Sequence, residues 1–183
     1  MQTSTRALNG AEPQSTLART TPFEQMLHTW LCHDAPAIAF MTDIIFIAAR
    51  WDDLVDHDQQ LLDSDIHQLL EVALSLPCNP FYIKHFAALH TLLHNSIRNW
   101  KVANVIERDP TSTEAALLNA YVLRASYADL IGHCAMLVGG NAWAEQVVKE
   151  VRLQSAKEGF AAYMLALQRE QRHRDVHQAA QRE

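Results

Sequence analysis

The chain has 183 residues, which is enough for one domain with a substantial hydrophobic core and short for two. Hydrophobic residues make up 49% of it, with only five glycines and six prolines, and this composition favours a globular, helix-rich protein. The net charge of −6 gives no general reason to expect nucleic-acid binding. No uncharged apolar stretch reaches the length needed to cross a membrane, so we expect no membrane-spanning helix.

The cysteines and the first twenty residues bear on the environment of the protein. Cys32, Cys78 and Cys134 are widely spaced and form no CxxC pair, which argues against a thiolate zinc site. We expect reduced, mostly buried thiols in a cytoplasmic protein. Residues 1–20 are rich in polar residues and lack the apolar core of a secretory signal, so we predict a disordered tail there.

Start and stop signals divide the rest of the chain into about six predicted helices. Thr21 with Pro22 opens the first helix, Asp34 caps the second, and Asn79 caps the fourth. The glycine pair at 139–140 ends the fifth. The predicted helices cover about residues 22–33, 35–57, 66–74, 80–108, 115–138 and 142–167.

Long helices joined by tight breaks predict an all-α fold. We expect a single helical bundle over residues 21–170, followed by a charged C-terminal extension at 171–183. The second and fifth helices are apolar over the widest arcs, so we place them at the centre, packed against each other. The third helix is expected to face the core with a stripe made of Ile66, Leu69, Leu70, Ala73 and Leu74.

An acidic cluster ends the second predicted helix, just after the apolar run at residues 37–49. Asp52 and Asp56 are four residues apart and share a helix face, and Asp53 is one helical step away. Crowded carboxylates repel each other, and a hard cation such as Mg²⁺ relieves that repulsion through oxygen ligands. The alternative is an acidic helix end entering solvent, although aspartates near a helix C-terminus oppose the helix dipole.

Polar residues on the fifth predicted helix form a second candidate group. Asp129 and His133 are four residues apart and meet on one face, with Arg124 near that face and Tyr127 closer to the arginine. Polar groups on a central helix must be paired or functional, which makes these residues candidates for catalysis and substrate binding. The alternative is a satisfied Asp–His pair in the core with a structural arginine.

The fourth predicted helix supplies possible anion ligands. Arg98 and Lys101 could hold an anion, and Asn99 between them belongs to a half-buried wall. The alternative is an ordinary surface helix, because lysine and arginine are mostly exposed. His90 and His94 form a polar flank of the same helix, and metal binding by this pair would lack the third ligand of known sites.

The segment from Asp52 to Asp56 resembles the DDxxD signature of class I isoprenoid (terpenoid) synthases. The segment at residues 127–140, with its tyrosine, cysteine and Val-Gly ending, resembles a helix of squalene and phytoene synthases. The resemblance implies an isoprenoid-synthase-like bundle in which Asp52, Asp53 and Asp56 bind Mg²⁺, and the metal withdraws a diphosphate leaving group. The residues at 51–54, 79–82 and 99–100 together also resemble small uncharacterised bacteriophage proteins, which implies no activity.

Two functional hypotheses follow. The first is a Mg²⁺-dependent enzyme acting on a small diphosphate or phosphate ester or on a modified nucleotide. Its candidate residues are Asp52, Asp53 and Asp56 for the metal, Asp129, His133 and Arg124 for catalysis, and Arg98, Asn99, Lys101 and Tyr127 for the substrate. The second is a non-catalytic helical interaction protein, possibly a homodimer, in which the aspartates form a solvated helix end.

Overall fold

The computed structural model describes residues 21–56, 61–155 and 159–180, with the side chains of all of these except residues 56 and 173–180. The described residues form helices and contain no β-strand, which confirms the predicted all-α class. The α-helices are α1 (Pro22–Trp30), α2 (Ala35–Asp56), α3 (Asp63–Ser75), α4 (Pro80–Lys84), α5 (Phe86–Arg108), α6 (Glu114–Arg124), α7 (Tyr127–Gly139), α8 (Asn141–Ser155) and α9 (Gly159–Ala180). A short 3-10 helix, Leu76–Cys78, joins α3 to α4.

Side-chain caps begin four of these helices close to the predicted starts. Thr21 forms a reciprocal capping box with Glu24 in the first turn of α1. Asp34 accepts a hydrogen bond of 2.9 Å from a backbone N–H in the first turn of α2. Asn79 accepts two such bonds from α4, at 2.9 and 3.1 Å, and Thr113 accepts one from α6 at 3.3 Å. Each cap depends on residues within one turn, so these starts follow from the local sequence.

Three of the predicted helices are divided, so the predicted count of about six is wrong for the described residues. The fourth is interrupted at His85, whose backbone leaves the helical conformation. The fifth breaks at residues 125–126. There the backbone N–H groups donate to carbonyls three residues earlier instead of four, and the Ser126 hydroxyl donates to the carbonyl of Leu123. In place of the sixth there are α8 and α9, and α9 begins at Gly159 with a positive φ of 71°.

Helix α7, the second half of the predicted fifth helix, lies at the centre, whereas α6, the first half, has Ala120 as its one buried residue. The buried residues of α7 are Ala128, Leu130, Ile131, Gly132, Cys134 and Ala135. Gly132 allows close packing on α8, because a Cβ atom there would collide with the Val148 side chain. Helix α2 contributes only its first half to the same core, through Ala37, Phe40 and Met41. The small residues of α7 therefore serve the approach of a neighbouring helix.

Helix α3 packs against α2 with a different side from the one predicted. Leu69 and Val72 are half-buried, whereas Ile66, Leu70 and Leu74 are exposed. No residue of α3 is fully buried. The prediction was wrong for these three residues and for Ala73, which is also exposed, because an apolar stripe does not by itself reveal which part of a helix a neighbour covers.

The remaining expectations concern the thiols and the chain ends. All three cysteines are free, but only Cys134 is buried, while Cys32 and Cys78 are exposed, so the expectation of mostly buried thiols is wrong. Burial raises the pKa of the Cys134 thiol to about 12. The predicted disordered tail lies outside the described residues, and α9 continues past the predicted end of the bundle at residue 170. None of the described helices is long and apolar enough to cross a membrane.

Candidate functional site

Arg124, the last residue of α6, lies among polar groups from three other helices. Its guanidinium donates to the Glu107 carboxylate through Nε at 3.0 Å and Nη2 at 2.6 Å, and Glu107 is only 3% exposed. Nη1 donates to Asp52 Oδ1 at 2.8 Å, and Nη2 also donates to Asn104 Oδ1 at 2.6 Å. The Trp100 ring lies 5.5 Å from the guanidinium carbon. The Arg124 cluster consists of Arg124, Asp52, Trp100, Asn104, Glu107 and Tyr163.

Two further hydrogen bonds complete the Arg124 cluster. Trp100 Nε1 donates to Asp52 Oδ1 at 2.9 Å, and Tyr163 Oη donates to Glu107 Oε1 at 2.5 Å. Burial strongly raises the pKa of the Tyr163 phenol, and the bond to Glu107 raises it further, so the hydroxyl stays protonated. The cluster borders a cavity of about 130 Å³ lined by Asp52, Glu107, Arg124, Tyr163, Leu167 and Glu170.

Charge neutralisation dominates the chemistry of the Arg124 cluster. A buried glutamate without a cation is strongly destabilising, and the two-point contact from Arg124 to Glu107 is among the stronger polar contacts found in proteins. Nε, Nη1 and Nη2 of Arg124 each donate to a protein acceptor. The cluster therefore joins α2, α5, α6 and α9, and the guanidinium is engaged by carboxylates instead of being presented to a phosphate.

The aspartates predicted to bind Mg²⁺ have different surroundings. Asp52 belongs to the Arg124 cluster, and Asp53 pairs with Arg50 at 2.9 Å. The side chain of Asp56 lies outside the described part of the chain. Among the described residues, no group of three or more His, Cys, Asp or Glu residues is arranged to hold a metal ion. For Asp52 and Asp53, arginines relieve the carboxylate repulsion from which the magnesium site was predicted.

Asp129 and His133 do not form the expected pair. Asp129 is exposed and pairs with Arg152 of α8 at 2.7 Å. His133 Nε2 is buried without a hydrogen-bond partner among the described residues. His133 lies near His85, whose pKa is lowered chiefly by burial and further by the charges of Lys84 and His133. Asp129 therefore pairs with α8, whereas the contacts of Arg124 described above are with α2 and α5.

The residues predicted to bind the substrate are dispersed. Arg98 and Lys101 lie on an exposed side of α5, away from the residues of that helix that contact Arg124. Asn99 donates through Nδ2 to the Ser126 hydroxyl at 2.9 Å, which ties α5 to the break between α6 and α7. The Tyr127 hydroxyl lies 2.6 Å from a serine hydroxyl of α8. These contacts are structural links between helices.

Sequence reasoning missed the residues that surround Arg124 most closely. Trp100, Asn104 and Glu107 recur every three or four residues on α5 and therefore share a helix face. A glutamate and an asparagine on the same face as a large aromatic indicate a half-buried polar face, and this signal was available. The sequence carries no signal for the contact of Tyr163 with the cluster, because that contact depends on how α9 packs against distant helices.

No family model matches the chain, and no curated protein or solved structure matches it. The resemblance to class I isoprenoid synthases rests on the residues quoted above and stays a prediction. The same holds for the resemblance to small bacteriophage proteins.

Replacing Arg124 with methionine tests the Arg124 cluster. Arg124→Met keeps much of the apolar side chain but leaves Glu107 without its cation, so we expect the free energy of unfolding to fall by about 3 kcal/mol or more. Arg124→Lys should restore only part of this loss, because lysine cannot make the two-point contact. Denaturant titration measures these changes. The control Arg98→Met alters an exposed arginine and should cost about 0.5 kcal/mol or less. Equal losses for Arg124→Met and the control would contradict the assignment.

The raised pKa of Tyr163 predicts a loss of stability at alkaline pH. Above the ordinary tyrosine value of about 10, an unfolded chain releases the phenolic proton while the folded chain keeps it, so rising pH favours unfolding. Tyr163→Phe should show a shallower fall in the free energy of unfolding between about pH 9 and pH 11 than the unmodified chain. Tyr127→Phe, which removes an exposed phenol, is the control. Identical slopes for Tyr163→Phe and the unmodified chain would show that this phenol does not contribute.

Proposed function

We propose that the protein is a non-catalytic helical interaction protein that forms a homodimer through α3. The observation that carries this proposal is an exposed apolar row along that helix. Leu62, at the N-cap, and Ile66, Leu70 and Leu74 are spaced by four residues and are 64%, 48%, 59% and 69% exposed. We call these four side chains the α3 row. Contiguous exposed apolar surface of this kind is typical of interaction sites.

Helix α3 is apolar on two adjoining sides. Leu69 and Val72 are half-buried on the side toward α2, and the α3 row lies beside them. Exposed His67, Gln68 and Glu71 occupy the remaining side. A helix that packs against one neighbour needs one apolar side. The second apolar side of α3 therefore favours a further helix as its neighbour.

A second copy of the chain is the occupant that the α3 row fits. Side chains spaced by four residues form a ridge, and two such ridges interdigitate when helices cross at about −50°. A twofold dimer requires one surface that complements itself, and a row of four aliphatic side chains of similar size meets that requirement. Between Ile66 and Leu70 the row has no charged neighbour on its own side of the helix, and the one charged residue on that side is exposed Asp63, in the first turn.

The energy available from the α3 row suits a dimer that dissociates on dilution. The exposed fractions together amount to between two and three whole side chains. Covering them contributes about 4–7 kcal/mol for each copy, from roughly 1.5–3 kcal/mol for each fully buried aliphatic side chain. Association costs about 4–15 kcal/mol in lost freedom of motion. The gain from two copies is of the same order as that cost.

The surroundings of the candidate catalytic residues favour this proposal over an enzyme. Arg124, one of the predicted catalytic residues, is engaged by Glu107 and Asp52. The exposed cations Arg98 and Lys101 lie outside the Arg124 cluster. A phosphate site requires cations that converge on one point, whereas Arg98 and Lys101 lie on a different side of α5 from the residues that contact Arg124.

The magnesium-dependent reaction stays a prediction, with a diphosphate as the substrate class. The cavity beside Asp52 is the observation that favours it, but Arg124 would have to leave Asp52 before that carboxylate ligated Mg²⁺ with all its oxygens. A thermal-shift series with Mg²⁺, pyrophosphate and both together distinguishes the two functions. For the interaction protein we expect no stabilisation by the combination beyond the separate effects. Synergistic stabilisation that Asp53→Asn abolishes would instead support the enzyme.

Dimerisation is tested by placing a charge in the α3 row. Leu70→Glu puts a carboxylate where two apolar ridges meet, so we expect a monomer at concentrations where the unmodified chain is a dimer. Leu70 is exposed in the single chain, and the helical circular dichroism of the variant should be unchanged. Light scattering coupled to size-exclusion chromatography, over a series of protein concentrations, measures the mass.

The matched control is Gln68→Glu, which introduces the same charge at an exposed position on the polar side of α3. This variant should dimerise like the unmodified chain. A monomeric unmodified chain across the whole series would refute the proposal. So would a Leu70→Glu variant that dimerises as well as the control, because the interface would then lie on another face.

A further inference from the structure

Two histidines lie side by side on the exposed face of α5. His90 and His94 are one helical turn apart, both are exposed, and their ring centroids are 4.5 Å apart in an edge-to-face arrangement. Side chains four residues apart on a helix project in the same direction. Both imidazoles can therefore approach one ion in front of the helix.

Neighbouring aromatic residues hold the His90 ring in place. Phe86 stacks on it with ring centroids 4.8 Å apart and an interplanar angle of 21°. The Tyr82 hydroxyl lies 3.4 Å from His90 Nδ1, and Tyr82 is itself buried and stacked on Phe40 at 5.4 Å. The orientation of the His90 ring is thus set by Phe86, which lies at the surface, and by Tyr82, which is anchored in the core.

The contact with Tyr82 also bears on which nitrogen of His90 is available. Burial raises the pKa of the Tyr82 phenol, so its oxygen stays protonated and neutral. When Nδ1–H donates to that oxygen, Nε2 keeps its lone pair. Histidine ligands of metals commonly donate their other ring N–H to a protein oxygen in this manner. His94 is exposed, and its ring lies against that of His90, on the same side of the helix.

We propose that His90 and His94 form a two-histidine binding site for a divalent cation of the zinc type. Imidazole suits Zn²⁺ and similar borderline ions, whereas Mg²⁺ prefers oxygen. The described residues provide no group of three or more His, Cys, Asp or Glu ligands, and water molecules can complete the tetrahedral coordination. The site is separate from the Arg124 cluster and from the α3 row, and it does not depend on the proposed dimer.

The test is a calorimetric titration of Zn²⁺, as a simple salt, into the full chain. His90→Ala and His94→Ala should each weaken Zn²⁺ binding by at least about tenfold, because each removes one of two protein ligands. His67→Ala, which removes an exposed histidine from α3, is the control and should leave the binding unchanged. Circular dichroism checks that all the variants fold.

A second control addresses another pair with the same spacing. His173 and His177 are four residues apart on the backbone of α9. The variant His173→Ala/His177→Ala should retain the ion bound by His90 and His94, and combining it with His90→Ala should remove that ion. The proposal is overturned if the unmodified chain binds no Zn²⁺. It is equally overturned if His90→Ala and His94→Ala bind as much Zn²⁺, with the same affinity, as His67→Ala.

Discussion

The contact between Arg124 and the buried carboxylate of Glu107 constrains the rest of the structure. A charge as deeply buried as that of Glu107 needs a cation with fixed geometry, and the arginine supplies it from the last residue of α6. The chain then turns at residues 125–126 and starts α7 in a new direction. This turn separates Arg124, which faces α5 and α2, from Asp129, which faces α8. The sequence predicted one continuous helix here, with Arg124 near the face that Asp129 and His133 share.

The same constraint changes the meaning of the acidic cluster at the end of α2. Crowded aspartates are a reasonable sign of a metal site when nothing else can neutralise them. Here Asp52 forms an ion pair with Arg124, and Asp53 forms one with Arg50, one helical turn away. A sequence shows the carboxylates because they are close together in the chain, whereas the arginine that contacts Asp52 lies 72 positions away. Charge compensation is therefore a property of the fold.

The helix starts that the sequence predicted are decided within one helical turn. The caps at Asp34 and Asn79 are examples, because the accepting side chain and the donating N–H groups are neighbours in the chain. The α3 row was assigned to the core because its periodicity is genuine, but periodicity does not state which side a neighbour covers. Similarly, the spacing of Asp129 and His133 was read correctly as one shared face. The spacing could not reveal that Asp129 forms an ion pair with Arg152 of α8.

The Arg124 cluster and the α3 row meet through α2. The fully buried residues of α2 lie in its first half, so the second half is held by Asp52 in the cluster on one side and by the packing of α3 on the other. A dimer formed through α3 would stabilise that helix and, through their packing, the end of α2 that carries Asp52. Coupling of this kind is reciprocal, since each event changes the free energy of the other by the same amount. The loss of Arg124 would then weaken the proposed dimer although it touches no residue of the α3 row, and a second copy would in turn stabilise the Arg124 cluster by mass action.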